Sequence, residues 1–204
     1  CGSRAGRARP RELNTTEALD LVRQLSELQV RAVALIGGES YLRPDWDVIA
    51  RAITDHGIYC SMVSGGRGLN ADVARRARRS GIVNVAISVD GLEVTHDLQR
   101  GVAGSYHAAL DALGHLAAAG VKTTVNTQIN RLSLPELEPL LEVLVQEQIW
   151  AWGVQLMVAM GRAVAQADWL LQPYELLDLF PRLVTLKQRC QQAGIHFSPG
   201  NNIG

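Results

Sequence analysis

The chain has 204 residues, enough for one domain with a substantial core, and 47% of them are hydrophobic. Its 20 Lys and Arg side chains balance its 20 Asp and Glu side chains, so duplex DNA and an anionic membrane are poor candidates for a partner. No stretch resembles a membrane span or a secretory signal, and three widely spaced cysteines predict no disulfide framework and a reducing cytoplasm.

Helical and strand patterns alternate along the chain. Asn14 is a candidate N-cap with Glu17 in the first turn, and Val22 and Leu25 continue at helical spacing. Short apolar runs that end in glycine or polar residues predict the strands. The predicted helices lie near 15–29, 45–56, 70–80, 104–119, 134–148 and 173–193, and the predicted strands near 32–36, 57–63, 83–89, 121–128 and 153–157.

This alternation predicts an α/β domain with a parallel sheet and helices on its outer face. The five predicted strands are apolar without strict alternation, which is typical of buried parallel strands. The pattern alone fits either an open, doubly wound sheet or part of a β/α barrel. In both architectures ligands bind at the carboxyl ends of the strands, so the polar residues there are the candidates for a site.

The first candidate group follows the strand near 32–36. Gly37 and Gly38 let the backbone approach a ligand closely, and the Glu39 carboxylate beside free backbone groups suits an ammonium group. The alternative is a tight strand-to-helix turn in which the glycines only relieve strain. The pattern leaves both interpretations open.

The second candidate group follows the strand near 83–89. A strand points Ser88 and Asp90 to one face, where a hydroxyl and a carboxylate suit a ribose diol. Arg100, further along the chain, suits a forked contact with a carboxylate. The alternative has Asp90 capping the next turn and Arg100 in a surface ion pair that contributes little to stability.

Amide side chains mark the ends of the next two strands. Asn126, Gln128 and Asn130 recur at strand spacing, and Gln155 repeats the arrangement on the following strand. Amides directed into a cleft suit a nucleobase or a polar substrate. Taken singly, each is better explained by hydrogen bonds between its side chain and the loop backbone.

Together these residues resemble the radical S-adenosylmethionine (SAM) superfamily, in the branch that carries a C-terminal SPASM domain. The resemblance spans nearly the whole chain, and the order and spacing of its motifs make it more specific than the Gly-Gly-Glu motif alone. It implies a partial (β/α)6 TIM-like barrel that is truncated at its first strand. The motifs are Cys1-Gly2-Ser3-Arg4, Gly37-Gly38-Glu39, and Ser88-Val89-Asp90-Gly91 followed by His96-Asp97 and Arg100.

The resemblance implies that Cys1 is the last cysteine of a CxxxCxxC motif that binds a 4Fe–4S cluster. Three thiolates leave one iron free for the amine and carboxylate of SAM. Cys60 and Cys190 lack the motif spacing, so the 204 residues alone are expected to be inactive. We expect residues 1–204 to be an incomplete radical SAM core domain that lacks the upstream cluster-binding strand and loop and the SPASM region.

The resemblance also implies which strand-end residues bind SAM. In the family the Gly-Gly-Glu motif holds the methionyl amine, while a serine and an arginine contact SAM, the arginine at the methionyl carboxylate. No catalytic residue is assigned. The matching positions are Gly37, Gly38, Glu39, Ser88 and Arg100, and three further SAM-binding candidates are Asp90, Gln128 and Gln155.

The implied activity is reductive cleavage of SAM to a 5′-deoxyadenosyl radical that abstracts hydrogen from a substrate. Relatives in this branch often modify peptides or proteins, so the expected partners are such a substrate and an electron donor such as a flavodoxin or ferredoxin. One alternative is a non-catalytic β/α domain that binds a nucleotide or a peptide. Another is a cluster-free barrel enzyme acting on a phosphorylated metabolite, against which the lack of a GxxxxGK[ST] loop argues.

Overall fold

The computed structural model describes residues 10–200 and 202–203, so Cys1 lies outside the described residues. The predicted role of Cys1 therefore stays a prediction. Within the described residues the α-helices are Thr15–Glu27 (α1), Trp46–Asp55 (α2), Ala71–Arg79 (α3), Glu93–Arg100 (α4), Ser105–Ala118 (α5), Leu137–Gln146 (α6) and Leu176–Gln192 (α7). The strands are Ala32–Leu35 (β1), Tyr59–Ser64 (β2), Asn84–Ser88 (β3), Lys122–Ile129 (β4), Ala151–Leu156 (β5) and His196–Pro199 (β6).

The strands form one parallel sheet in the order β1-β2-β3-β4-β5-β6. Each strand pairs with its neighbour in sequence, and right-handed crossovers then place the connecting helices on the same side of the sheet. A doubly wound sheet instead reverses its strand order at a switch point. The sequential order therefore decides between the two predicted architectures and confirms the partial barrel.

The face of the sheet that the helices cover is apolar. The α2 residues Trp46 and Ile53 belong to the same buried cluster as Met62 of β2. Complete burial of one such side chain contributes about 1.5–3 kcal/mol. The largest fully buried side chains are Trp46, Trp152, Ile53, Met62, Ile82, Ile87, Leu113, Leu116, Ile129, Leu137, Leu140 and Leu141.

The opposite face of the sheet is more polar and more exposed. In β4, Thr124, Asn126 and Gln128 are partly exposed, whereas the intervening Val125 and Thr127 are buried. The predicted absence of alternation is therefore wrong for β4, because every second residue faces the open side of the sheet. This open face carries hydroxyl and amide side chains toward the carboxyl edge.

Two elements differ from the sequence pattern. Helix α4 was not predicted, because its buried residues include the polar Thr95 and His96 and no apolar stripe marks it. Strand β6 was not predicted either, because it has four mostly exposed residues and ends at Pro199. The predicted N-cap is confirmed: the Asn14 side chain accepts from the Glu17 N–H, and Glu17 accepts from the Asn14 N–H. None of the described helices combines the length and apolarity of a membrane span.

We predict that the Thr127 hydroxyl stabilises the core through two buried hydrogen bonds. It accepts from Trp152 Nε1 at 2.9 Å and donates to the Val89 carbonyl at 2.6 Å. Thr127→Val leaves both partners unsatisfied and should lower the free energy of unfolding by about 2–4 kcal/mol in denaturant titrations. Thr124→Val, on the half-exposed face, is the control and should cost less than about 1 kcal/mol. Equal losses in the two variants would contradict the prediction.

Candidate functional site

Glu39 follows β1 and is held by the end of β2. Its Oε2 accepts from the Ser64 hydroxyl at 2.5 Å, and its Oε1 accepts from the Gly65 N–H at 2.9 Å. Tyr41 lies 3.2 Å from the same hydroxyl and donates to the Arg67 carbonyl, while burial raises the pKa of Tyr41. The carboxylate remains half-buried, so its orientation is fixed while part of its surface stays open to a ligand.

The loop that precedes Glu39 leaves space for a ligand. Gly37 has a φ of 142°, which L side chains rarely adopt, and a Cβ there would meet no atom within 4 Å. A cavity of about 450 Å³ opens beside this loop, and Ile36, Gly38, Glu39 and Ser40 contribute to its lining. The conformation of Gly37 supports the turn interpretation, and the ligand contact predicted for Gly37 and Gly38 stays a prediction.

Asp90 follows β3 and uses all four of its polar groups within the protein. Its N–H donates to His96 Nδ1 at 3.0 Å, and its carbonyl accepts from Gln99 Nε2 at 3.0 Å. Its Oδ1 accepts from the Gln128 N–H at 2.9 Å, and its Oδ2 lies 2.6 Å from Arg100 Nη2. Asp90 is only 4% exposed. It therefore joins the ends of β3 and β4 to helix α4.

Arg100 ends α4 and is only partly engaged by Asp90. Its side chain is 28% exposed, and its buried Nε has no hydrogen-bond partner within the part of the chain that the structure describes. Arginine offers five N–H groups in a planar fork. Arg100 therefore keeps donors for an anionic ligand, whereas the direct contact between Asp90 and SAM stays a prediction.

Glu136 follows β4 in the chain, and its position explains why a glycine follows Asp90. The Glu136 carboxylate accepts from the Leu92 N–H and from the Thr95 hydroxyl, both at 2.7 Å. A carboxylate at the positive end of a helix is favourable. Gly91 has a φ of 155°, and a Cβ at this position would lie 2.6 Å from Glu136 Oε2. Glycine is thus required for Glu136 to reach the start of α4.

Asp97, in the same sequence block, caps the next helix. Its carboxylate accepts from the Gly104 N–H, the Ser105 hydroxyl and the Tyr106 N–H at the start of α5. Burial acts to raise the pKa of Asp97, but the hydrogen bonds from Tyr106, Ser105 and Gly104 outweigh it and leave the pKa lowered. Asp97 therefore has a structural role within the block that carries the sequence resemblance.

The amide residues divide into two groups. Gln128 Nε2 donates to Gln155 Oε1 at 3.2 Å, so this pair spans two neighbouring strands on the open face. The Asn126 side chain packs close to Gly153: a Cβ added to Gly153 would lie 2.6 Å from Asn126 Oδ1. Asn130 is buried, and its Oδ1 accepts two N–H groups of the following loop. The loop interpretation is therefore correct for Asn130, and the other amides remain available to a ligand.

The structure brings the predicted residues to one edge of the sheet. Ser88 is half-buried and pairs in register with Asn126, next to the Asp90 contacts. Parallel strands share a carboxyl edge, so the Glu39 loop lies at this edge as well. Sequence reasoning missed Ser64 and Glu136, which hold the site from distant positions. The glycines that follow Ser64 were the one local signal.

The cysteines of the described residues do not fit a metal cluster. Cys60 and Cys190 are buried, and burial raises the pKa of each thiol to about 11. Metal ligation requires the thiolate. Across residues 10–200 and 202–203, no group of three or more His, Cys, Asp or Glu residues could hold a metal ion.

Comparison with known proteins decides the family. The sequence profile described as the radical SAM superfamily matches residues 1–142. The chain belongs to the radical SAM superfamily. It is 30% identical over 168 residues to the AdoMet-dependent heme synthase of Nitratidesulfovibrio vulgaris, covering 81% of this chain and 46% of that protein. It is 36% identical over 141 residues to the mycofactocin maturase MftC of Mycobacterium ulcerans, covering 68% of this chain and 38% of that protein.

Solved structures share the fold of this radical SAM chain. Streptococcus suis SuiB bound to S-adenosylmethionine matches with a TM-score of 0.75 and 15% identity, covering 95% of this chain and 45% of SuiB. Native anSMEcpe with bound AdoMet matches with a TM-score of 0.76 and 13% identity, covering 97% of this chain and 57% of the anSMEcpe chain. The family uses a 4Fe–4S cluster and SAM, and its named relatives are enzymes. The chain spans less than half the length of the curated relatives it matches.

We predict that Gly91→Ala detaches Glu136 from the start of α4. The added Cβ would meet Glu136 Oε2 at 2.6 Å and Thr95 Cγ2 at 2.8 Å, in a backbone conformation that alanine rarely adopts. The free energy of unfolding should fall by more than about 2 kcal/mol in denaturant titrations. Gly101→Ala is the matched control, since its φ is also positive but its Cβ would meet no atom within 4 Å. A loss in the control as large as in Gly91→Ala would refute the steric explanation.

We predict that His96 makes stability fall as the solution is acidified. Burial and the Arg100 cation lower the pKa of His96 below its ordinary value, against the opposing effect of Asp90 and Asp97. The unfolded chain therefore binds a proton below about pH 6.5 that the folded chain does not bind, so this stability is present above that pH and lost below it. The destabilisation caused by His96→Gln should be larger at pH 7.5 than at pH 5.5 in denaturant titrations. A pH-independent difference would contradict the assignment.

Proposed function

We propose that this chain is the core of a radical SAM enzyme that binds SAM at the carboxyl edge of its sheet. The observation that carries this proposal is the Glu39 carboxylate, which Ser64 and Gly65 orient beside an open glycine loop. A half-exposed carboxylate with fixed geometry suits the methionyl ammonium group of SAM. When bound, the cluster and SAM supply the electron and the 5′-deoxyadenosyl radical that removes a hydrogen atom from the substrate.

The remaining groups of the edge are assigned to the other parts of SAM. The free donors of Arg100 suit the methionyl carboxylate, and the Ser88 hydroxyl suits a second polar contact. The paired amides of Gln128 and Gln155 suit the ribose or the base. Gly37 and Gly38 provide close backbone approach. The fit rests on the partly exposed Arg100 guanidinium, whose Nε has no partner among the described residues, and on the open space beside the Glu39 loop.

The substrate that we propose is a peptide or a protein. MftC, at 36% identity, is named as a maturase, and a SuiB structure with the same fold contains its precursor peptide SuiA. The open face of the sheet offers neutral amide and hydroxyl groups such as Asn126 and Gln128, which match the hydrogen-bonding groups of a peptide backbone.

A tetrapyrrole is the second candidate substrate. The observation that favours it is the 30% identity over 168 residues to the AdoMet-dependent heme synthase, a longer match than that with MftC. Substrate-dependent formation of 5′-deoxyadenosine separates the two candidates, because only the true substrate should consume the radical productively.

The parent protein is proposed to act in the cytoplasm with an electron donor such as a flavodoxin or ferredoxin. Residues 1–204 form the incomplete radical SAM core domain of this proposal. Cys1 is one of three cluster ligands, and a SPASM region follows the core. The match to MftC and the fold shared with SuiB support the SPASM assignment.

We predict that Glu39→Gln weakens SAM binding without unfolding the protein. Loss of one charge-assisted hydrogen bond should raise the dissociation constant about 10- to 100-fold. Binding is measured anaerobically on the full-length protein after reconstitution with iron and sulfide, and 5′-deoxyadenosine is quantified after reduction. Glu138→Gln is the matched control, because Glu138 pairs with Arg182 on the helical layer. Unchanged SAM affinity in Glu39→Gln, or no 5′-deoxyadenosine from the wild type, would refute the proposed function.

A further inference from the structure

We propose, on the basis of the SAM site proposed above, that Asp90 is a positioning residue. It aims Arg100 at the methionyl carboxylate of SAM and does not itself touch SAM. Asp90 and Glu39 both follow strands at the same edge, yet their surroundings differ. Glu39 is half-buried, whereas Asp90 is 4% exposed and uses its main-chain and side-chain polar groups within the protein.

Three side chains of one helix face converge on Asp90. His96, Gln99 and Arg100 are spaced by three and four residues, so they lie on the same side of α4. His96 accepts from the Asp90 N–H, Gln99 donates to its carbonyl, and Arg100 binds its carboxylate. This spacing fixes Asp90 relative to the last turn of α4. The Gln128 N–H on β4 holds the other carboxylate oxygen.

Within the described part of the chain, the ion pair with Asp90 leaves other N–H groups of Arg100 free to bind an anion. Nη2 lies 2.6 Å from Asp90 Oδ2, and the buried Nε has no partner among residues 10–200 and 202–203. A partly buried guanidinium requires a counter-charge, which the Asp90 carboxylate supplies before any ligand arrives. Holding the fork in one orientation lowers the ordering cost of binding a carboxylate. Asp90 therefore acts on SAM through Arg100.

The test compares two ligands that differ in one group. Decarboxylated SAM keeps the sulfonium, the amine and the nucleoside but lacks the carboxylate that Arg100 is proposed to bind. Dissociation constants for SAM and decarboxylated SAM are measured by anaerobic equilibrium dialysis on the full-length protein with its reconstituted cluster. The variants are Asp90→Asn, Arg100→Gln and the double variant. Asp47→Asn is the control, because it removes a similar Asp–Arg pair with Arg76, outside the site.

We expect Asp90→Asn to weaken SAM binding about tenfold, and Arg100→Gln at least as much, since each disturbs a charge-assisted contact. Neither should change the affinity for decarboxylated SAM more than about twofold, and the double variant should match Arg100→Gln because both act through one contact. Asp47→Asn should leave both affinities unchanged. If Asp90 had only a structural role, Asp90→Asn would lower the affinities for SAM and decarboxylated SAM equally.

Each other outcome overturns the inference in a distinct way. If Arg100→Gln weakens SAM binding but Asp90→Asn leaves SAM affinity unchanged or increases it, the positioning role fails and the proposed SAM site stands. If Asp90→Asn weakens both ligands equally, Asp90 contacts another part of SAM or supports only the fold. If Arg100→Gln has no effect, the assignment of Arg100 in the proposed function fails too. Should Asp90→Asn not fold, His96→Gln must weaken SAM at least threefold and spare decarboxylated SAM, or the inference is overturned.

Discussion

The ion pair between Asp90 and Arg100 is the interaction around which the carboxyl edge of the sheet is organised. It ties β3 to α4, and the second oxygen of Asp90 ties both to β4. The network continues through Gln99 to Asn130, whose amide lies 3.4 Å from the Met157 sulfur beyond β5. Hydrogen bonds in one buried network polarise and orient one another, so these contacts depend on one another. The ends of three neighbouring strands are thereby held in one arrangement.

This edge lies between two faces of opposite character. The helix-covered face supplies the apolar burial that stabilises the sheet, and the open face of β4 carries hydroxyls and amides. The carboxylates of Glu39 and Asp90 both lie at this edge and have the same chemistry, but they differ in how deeply they are buried. Glu39 stays partly exposed with its two contacts coming from the end of β2, whereas Asp90 is enclosed by contacts from α4 and β4. Accessibility rather than residue type thus distinguishes the Glu39 carboxylate, which keeps open surface, from the Asp90 carboxylate, which orders its neighbours.

Local patterns predicted most of the elements because apolar periodicity and caps are local signals. They left the barrel undecided against the doubly wound sheet, since strand order is set by contacts between distant segments. Helix α4 was missed because it turns polar residues inward, and the spacing of His96, Gln99 and Arg100 became meaningful only once the helix was known. The link between Ser64 and Glu39 joins positions 25 residues apart, which no local motif reports. Family motifs placed the strand-end residues but not their partners.

The cap on α4 has a consequence for the stability of the Arg100 side of the edge. Eight residues are too few for an isolated helix to persist in water, so α4 depends on tertiary contacts. The carboxylate at its first turn comes from Glu136, 44 residues after Leu92 and on the far side of β4. The stability of the helix therefore depends on β4 and on the turn beyond it, which carries Glu136. The Arg100 side of the edge is consequently only as stable as a turn that lies far away in the sequence, and a change that loosens that turn also loosens the start of α4.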